Sequence, residues 1–194
     1  MTTPARLPRA SGPVNPAGVG RQLLAWVEAW WADNANPDDP AAPQPLPAAR
    51  YLAGGDPRTV AWDHDDGQVT VALDRAVMGL DPTTAAVTAR SPRRDPGNHG
   101  RITRHAVYEV QIVRPAPGMA FVEVLPGADE IGAHGYLVMS DMGHLLTCLA
   151  DGIRDGAFLR EHVGAGNVIL GDAESLGPAG GLSAVACGLT VPLL

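Results

Sequence analysis

The chain has 194 residues, a formal charge of −7 and no lysine, so that all 14 basic residues are arginines. Its hydrophobic content of 45% is enough for the core of one domain. The acidic balance disfavours tight sequence-independent DNA binding, which requires a basic surface. No apolar run approaches the roughly 20 residues of a membrane span, and no apolar segment follows the first arginines as in a signal peptide. We therefore expect a protein without membrane contact that stays in the cell that makes it.

The N-terminal part of the chain predicts a flexible arm followed by an amphipathic helix. Residues 1–15 are rich in proline, alanine and arginine, which favours the arm. Asn15 and Pro16 then suit the N-cap and the first position of a helix over 16–33. Trp31 lies beside the apolar stripe of this helix, which leaves core packing and an exposed subunit contact as alternatives. The stripe consists of Val19, Leu23, Trp26, Val27 and Trp30.

A proline-rich segment from Asn36 to Ala49 separates this helix from the first predicted strands. Its prolines exclude a helix or a central strand, so the segment is expected to run extended over the surface. Strands are predicted at 58–63 and 68–74, joined by a hairpin turn at 65–67. In the second of these strands, apolar and polar residues alternate as in a half-buried strand.

Residues 76–102 show no periodicity and predict a long loop or arm. Arg93 and Arg94, together with Arg90 and Arg101, concentrate positive charge in this part of an acidic chain. Two interpretations remain open. The segment is either a solvated mobile loop or an arm that reaches an acidic neighbour or DNA.

The second half of the chain predicts three strands and a long helix. The strands are expected at 104–114, 167–171 and 183–193, and the principal helix at 128–152. A shorter helical piece is expected at 156–163. The core stripe predicted for the principal helix comprises Ile131, Val138, Met142, Leu145, Leu146, Leu149 and Ile153.

The last strand carries two features that bear on its place in a sheet. The residues from Gly177 to Gly181 predict a turn before it, in which glycines supply positive φ. Pro192 indicates either that the strand lies at a sheet edge or that its end escapes pairing. The order of all elements predicts an α+β fold in one domain over 1–194, with a mostly antiparallel or mixed sheet flanked by two main helices.

No residue pattern of catalysis or metal binding stands out. Asp63, His64, Asp65 and Asp66 lie at a tight turn, where neighbouring side chains diverge, so a solvated turn is favoured over a metal site. His134 and His144 face different directions on the predicted helix. Ser140 and Ser183 lack the context of a hydrolase nucleophile, and Cys148 and Cys187 are expected to be buried free thiols. We predict no catalytic residue, no metal site and no cofactor.

Four sequence elements occur in a defined order along most of the chain. None of them is a catalytic motif, and their order rather than any single one is informative. They are Arg-Tyr-Leu-Ala-Gly-Gly at 50–55 leading to Val-Ala-Trp-Asp at 60–63 and Gln-Val-Thr-Val at 68–71; Tyr-Glu-Val-Gln-Ile-Val-Arg at 108–114; Asp-x-x-x-Leu-Leu at 141–146; and Gly-Pro-Ala-Gly-Gly at 177–181 before a strand ending Leu-Thr-Val-Pro-Leu.

In this order, from about residue 16 to 194, the chain resembles the tail terminator proteins of long-tailed phages that infect actinobacteria. His64 is a departure, because a cysteine is expected just after the Trp-Asp pair. Tail terminators form a six-fold ring on the head-proximal end of the tail tube. The ring stops tube polymerisation and offers a face to the head connector.

The resemblance implies a structural protein of the virion rather than an enzyme. Its implied partners are further copies of the chain in a hexameric ring, the tail tube protein, and the head–tail connector or stopper protein. Genome DNA would pass through an acidic lumen without specific binding. The residues expected at the oligomer or tube interface are Arg50, Tyr51, Arg93, Arg94, Gly177, Pro178, Gly180 and Gly181.

Two other functions remain as alternatives. The first is a different head–tail joining protein, an adaptor or a stopper, which is also small and forms rings. The second is a small metal-dependent enzyme centred on Asp63, His64 and Asp65.

Overall fold

The computed structural model describes two helices and five strands. We number them α1 (Pro16–Asn34), β1 (Ala49–Gly54), β2 (Gln68–Leu80), β3 (Ile102–Pro115), α2 (Ala128–Asp155), β4 (Ile169–Ala179) and β5 (Leu182–Leu193). The residues that the structure describes are 16–54, 66–80, 102–117, 126–156, 168–179 and 181–193.

The five strands form one sheet in the order β1-β2-β3-β5-β4. β1 is parallel to β2, and every other neighbouring pair is antiparallel. A mixed sheet with two helices is an α+β arrangement, which confirms the predicted fold class. Within the described ranges, neither helix is long and apolar enough to cross a membrane.

Both helices pack against the same face of the sheet and form the core there. Alternating residues of β3 and β5, such as Tyr108 and Leu189, point into this core. Trp31 of α1 is fully buried, so core packing is the correct alternative for it. Leu145 and Leu149 of α2 are also fully buried. Burying each such side chain contributes about 1.5–3 kcal/mol to the free energy of unfolding.

The opposite face of the central strands is buried as well. Thr70, Gln111 and Ala186 lie side by side in the sheet register and are at most 1% exposed. Polar groups on this face bind one another: the Gln68 amide donates to the Thr70 hydroxyl at 3.0 Å. Because both faces of the central strands are covered, the sheet edges and the outer helix surfaces are the parts of the described structure that suit contacts with other molecules.

The first half of the sheet differs from the prediction. β1 was not predicted as a strand, and the predicted strand at 58–63 lies outside the described residues. β2 continues to Leu80 because residues as far as Leu80 pair with β3. The loop predicted over 76–102 is therefore wrong at both ends, and the part with Arg93 and Arg94 lies outside the described residues.

The second half of the sheet also corrects the prediction. β4 is much longer than the predicted 167–171. β5 is an inner strand between β3 and β4, so its predicted edge position is wrong. Pro192 pairs in register with His105 of β3, and the described pairing with β4 ends at Thr190 opposite Ile169.

The principal helix is confirmed and ends three residues later than predicted. The backbone N–H of Gly127 donates to the Glu130 carboxylate at 3.2 Å, which supports the start of the helix. The helix ends at Gly156, whose φ of 63° is left-handed. Ile131 is 56% exposed, so its predicted place in the core stripe is wrong. It precedes His134, which already contacts the beginning of β5.

Gly67, just before β2, is a position where only glycine fits. Its φ is +84°, and a Cβ there would lie 2.3 Å from the carbonyl oxygen of Val113. We expect Gly67→Ala to lower the free energy of unfolding by roughly 1–3 kcal/mol, because strain and a backbone clash act together. Urea denaturation measures this. Gly54→Ala is the control, since open space surrounds Gly54, and an equal loss in both variants would contradict the argument.

Candidate assembly surfaces

The residues predicted to form interfaces fall into two groups on opposite edges of the sheet. Arg50 and Tyr51 belong to β1, the first strand in the sheet order. Gly177 and Pro178 belong to β4, the last strand, and Gly181 lies between β4 and β5. Four strand spacings separate the two edges, which is about 19 Å at 4.8 Å per spacing. Gly180, Arg93 and Arg94 lie outside the described residues.

The two groups lie at the same end of the sheet. The strand register places Arg50, Val69, Ile112, Val185 and Ser175 in one row across all five strands. Residues 177 and 178 follow two and three positions after the last member of this row. The predicted interface residues of both edges are therefore at nearly the same height along the strands.

At the β1 edge, a shallow depression of about 370 Å³ lies beside Arg50. The Arg50 guanidinium is held from three sides: Nε lies 2.6 Å from a carboxylate oxygen of Glu28 on α1, and Nη1 donates to the carbonyls of Pro47 and Ala49. Arg50 thus attaches β1 to α1, and these contacts hold the guanidinium at the rim of the depression. The depression is lined by Ala48, Ala49, Arg50, Tyr51, Asp66 and Gly67.

At the opposite edge, β4 turns into β5 through the predicted glycine-rich turn. The Gly177–Pro178 peptide bond is cis. Gly177 and Gly181 have φ values of 98° and 78°, which confirms that glycines supply positive φ in this turn. The Gly181 carbonyl accepts a hydrogen bond from the backbone N–H of Ala116 at 2.7 Å, which attaches the turn to the end of β3.

A buried ion pair lies between the two groups at this end of the sheet. Arg114 of β3 binds both carboxylate oxygens of Asp141 on α2, one of them at 3.0 Å from Nη2. The two side chains are only 12% and 3% exposed. Arg114 also donates to the carbonyls of Gln44 and Pro45 at 3.2 and 3.0 Å. No sequence pattern indicates this pair, because its members are 27 positions apart and follow no local spacing.

Beside the ion pair, His134 of α2 contacts Ser183 of β5. Nε2 of His134 lies 2.7 Å from the Ser183 hydroxyl oxygen. Burial lowers the pKa of His134 below its usual 6.5, and the nearby Asp141 charge partly opposes this. A neutral imidazole beside a serine is half of a nucleophilic arrangement. However, Ser183 is only 5% exposed, and Arg114 occupies the Asp141 carboxylate. The contact therefore fastens α2 to β5.

Other candidate chemistry receives no support from the described part of the chain. Asp63, His64 and Asp65 lie outside it. Among the described residues there is no group of three or more His, Cys, Asp or Glu side chains that could hold a metal ion. Cys148 and Cys187 are buried free thiols, as predicted. Burial raises their pKa values to about 12 and about 11, which keeps both thiols protonated and unreactive.

The outer face of α2 is a third exposed surface. It carries no charged side chain between Glu130 and Asp151, a length of about 30 Å at 1.5 Å per residue. Tyr136 on this face donates a hydrogen bond to the Pro40 carbonyl at 3.2 Å. The exposed residues of this uncharged face are Ile131, Gly132, Ala133, Tyr136, Met139, Gly143, Thr147 and Ala150.

Comparison with known proteins adds no relative. A scan of the chain against protein-family models finds no family that matches, and a search of curated proteins finds none that matches.

The Arg114–Asp141 pair should dominate the stability of this end of the sheet. We expect Arg114→Met or Asp141→Leu alone to cost about 3–5 kcal/mol, because each leaves one buried charge without its partner. The double variant should cost less than the sum of the two. Urea denaturation of all three variants measures this.

A matched control for the ion pair is Arg154→Ala. Arg154 pairs with Asp151 at 2.9 Å, but its side chain is 72% exposed. The loss there should be about 1 kcal/mol or less. Equal losses at Arg114 and Arg154 would show that burial does not set the cost.

His134 should make the stability depend on pH. Because its folded pKa is lowered, the unfolded chain binds more protons at this position as the pH falls below 6.5. The contribution is therefore complete above pH 6.5 and is lost on acidification. His134→Gln, which does not titrate, should lose stability less steeply between pH 7.5 and about pH 5. Parallel pH profiles of the two proteins would contradict the lowered pKa.

Proposed function

We propose that this protein is a phage tail terminator. It assembles into a hexameric ring on the head-proximal end of the tail tube, stops tube polymerisation and joins the tail to the head connector. In this proposal the protein is made in the host cytoplasm and becomes part of the virion. Its partners are copies of itself, the tail tube protein and the connector or stopper protein, and the genome DNA passes through the ring.

The observation that carries the proposal is the distribution of the interface residues. A closed ring joins one patch of each subunit to a different patch of the next. Arg50 and Tyr51 lie on one sheet edge, and Gly177 and Pro178 lie on the other edge at nearly the same height. Two patches arranged in this way suit a head-to-tail contact. The same motifs carry the resemblance to tail terminators, so sequence and geometry support the same function.

Two further features support an assembly role. The faces of the central strands are buried within the chain, so within the described sheet the outer edges are the parts that suit contacts with other subunits. The uncharged outer face of α2 provides a separate surface for the tube or the connector. Contacts of this kind exclude charged residues from their centres. A net charge of −7 agrees with DNA that passes without adhering.

Deletion of the gene in the phage tests the proposal. We expect negative-stain microscopy of the lysate to show overlong or ragged tails separated from filled heads, because tube growth has no stop. Expression of the intact protein from a plasmid should restore normal tail length and joined virions.

Two other results would replace the proposal. Tails of normal length that fail to join heads would indicate an adaptor or stopper. Normal virions from the deletion phage would contradict both structural functions. A plasmid carrying Gly67→Ala is the matched control for misfolding. If a variant fails to restore tail length only because it misfolds, little folded protein should be present as well.

A further inference from the structure

We infer that copies of the chain join through the outer edges of their sheets, with β4 of one copy pairing antiparallel to β1 of the next. This contact rests on the proposed ring and specifies the surfaces that would close it. Among the described strands, none pairs with the outer edge of β1 or of β4. The outer edge of a strand presents a row of N–H and C=O groups that can bind another strand.

The strand directions allow the sheet to continue from one copy to the next. β1 and β2 run parallel, and each of the three remaining pairs reverses direction. β1 and β4 therefore run in opposite directions at opposite edges. A rotation about an axis roughly along the strands places β4 antiparallel beside the β1 of the next copy.

The charges of the two edges disfavour a symmetric contact. β4 contains Asp172 and Glu174 and no basic residue, so two-fold pairing of β4 with another β4 would oppose acidic side chains. β1 contains no acidic residue, and its Arg50 is already bound by Glu28 of α1. Like charges across neighbouring strands destabilise a pair, so a head-to-tail contact is favoured over a symmetric β4 dimer.

The side chains at matching heights are complementary. Leu52 of β1 is 40% exposed on the helix-covered face of the sheet. The register places Leu52, Val71, Val110, Cys187 and Ala173 in one row. Without a shift along the strands, Leu52 of one copy lies beside the small Ala173 of its neighbour. The contact would remove an exposed leucine from water.

The same alignment brings the glycine-rich turn to the depression at the β1 edge. Pro178 has no N–H to donate, so strand pairing is confined to the part of β4 before it. The cis Gly177–Pro178 turn then lies beside the depression next to Arg50 and Tyr51. Both groups of predicted interface residues thus take part in one contact.

Cysteine cross-linking tests the contact in assembled particles. Leu52→Cys and Ser175→Cys are substitutions at exposed edge positions two residues apart in height. The native Cys148 and Cys187 are buried and should not react. The deletion phage assembles tails with the double variant supplied from a plasmid. These tails are treated with a short bismaleimide, and their protein is then separated on a denaturing gel. We expect a ladder that ends at the hexamer.

The single variants serve as controls with defined outcomes. Each alone should give monomers, and tails assembled from a mixture of the two should stop at dimers. Thr147→Cys on the outer face of α2, combined with Ser175→Cys, should give no ladder. Dimers from Ser175→Cys alone would indicate symmetric β4 pairing and overturn the inference. So would a double variant that restores tail length but gives no ladder.

The outcomes for the contact and for the proposed function are separable. Restored tail length without cross-links keeps the terminator function and rejects the edge contact. Cross-linked rings of the purified double variant, together with normal virions from the deletion phage, would keep the contact and reject the function. If the double variant does not fold, shown by the loss of cooperative thermal unfolding, Ala53→Cys with Glu174→Cys tests the same edges with the same expected ladder.

Discussion

The Arg114 guanidinium is the interaction on which the end of the sheet that carries the candidate surfaces depends. It binds the Asp141 carboxylate of α2 and the carbonyls of Gln44 and Pro45, and it is almost fully buried. Buried charges are stable only when they are paired and hydrogen-bonded. One side chain at the end of β3 therefore fixes α2 and the proline-rich segment against the sheet.

The proline-rich segment explains why this end needs arginine donors. Prolines have no N–H and cannot form a ladder with a neighbouring strand, yet their carbonyls still require hydrogen bonds. Each of four proline carbonyls accepts one, three of them from residues outside the segment and one from Asn36 within it. The donors are Tyr136 for Pro40, the backbone of Asn36 for Pro43, Arg114 for Pro45 and Arg50 for Pro47. The segment is thereby attached to both α2 and the β1 edge, so that Arg50 is positioned by the fold.

The tryptophans of α1 hold the two helices together above the sheet. Trp26 donates to the Cys148 carbonyl at 2.9 Å, and Trp30 donates to the Asp151 carboxylate at 3.0 Å. Their rings cover the core while their N–H groups bind α2, as is usual for half-buried tryptophans. The two helices therefore cover one face of the sheet, and this packing stabilises the fold. In the proposed assembly, contacts with other molecules would therefore involve the strand edges and the outer surface of α2.

Apolar periodicity along the chain was sufficient to predict the two helices, the strands β2, β3 and β5 and the α+β class, because it records which side of each element is buried. The resemblance also selected Arg50 and Gly177 as interface residues. The three-dimensional structure was needed to show that β1 is a strand, that β5 is an inner strand, and that the two groups of predicted interface residues share one height on opposite edges. Strand order and register depend on pairing between residues distant in the chain, and no local pattern encodes that pairing. Ile131 is exposed although it follows the helical spacing of the core residues. Helical spacing does not reveal where the sheet beneath the helix ends, because this again depends on residues distant in the chain.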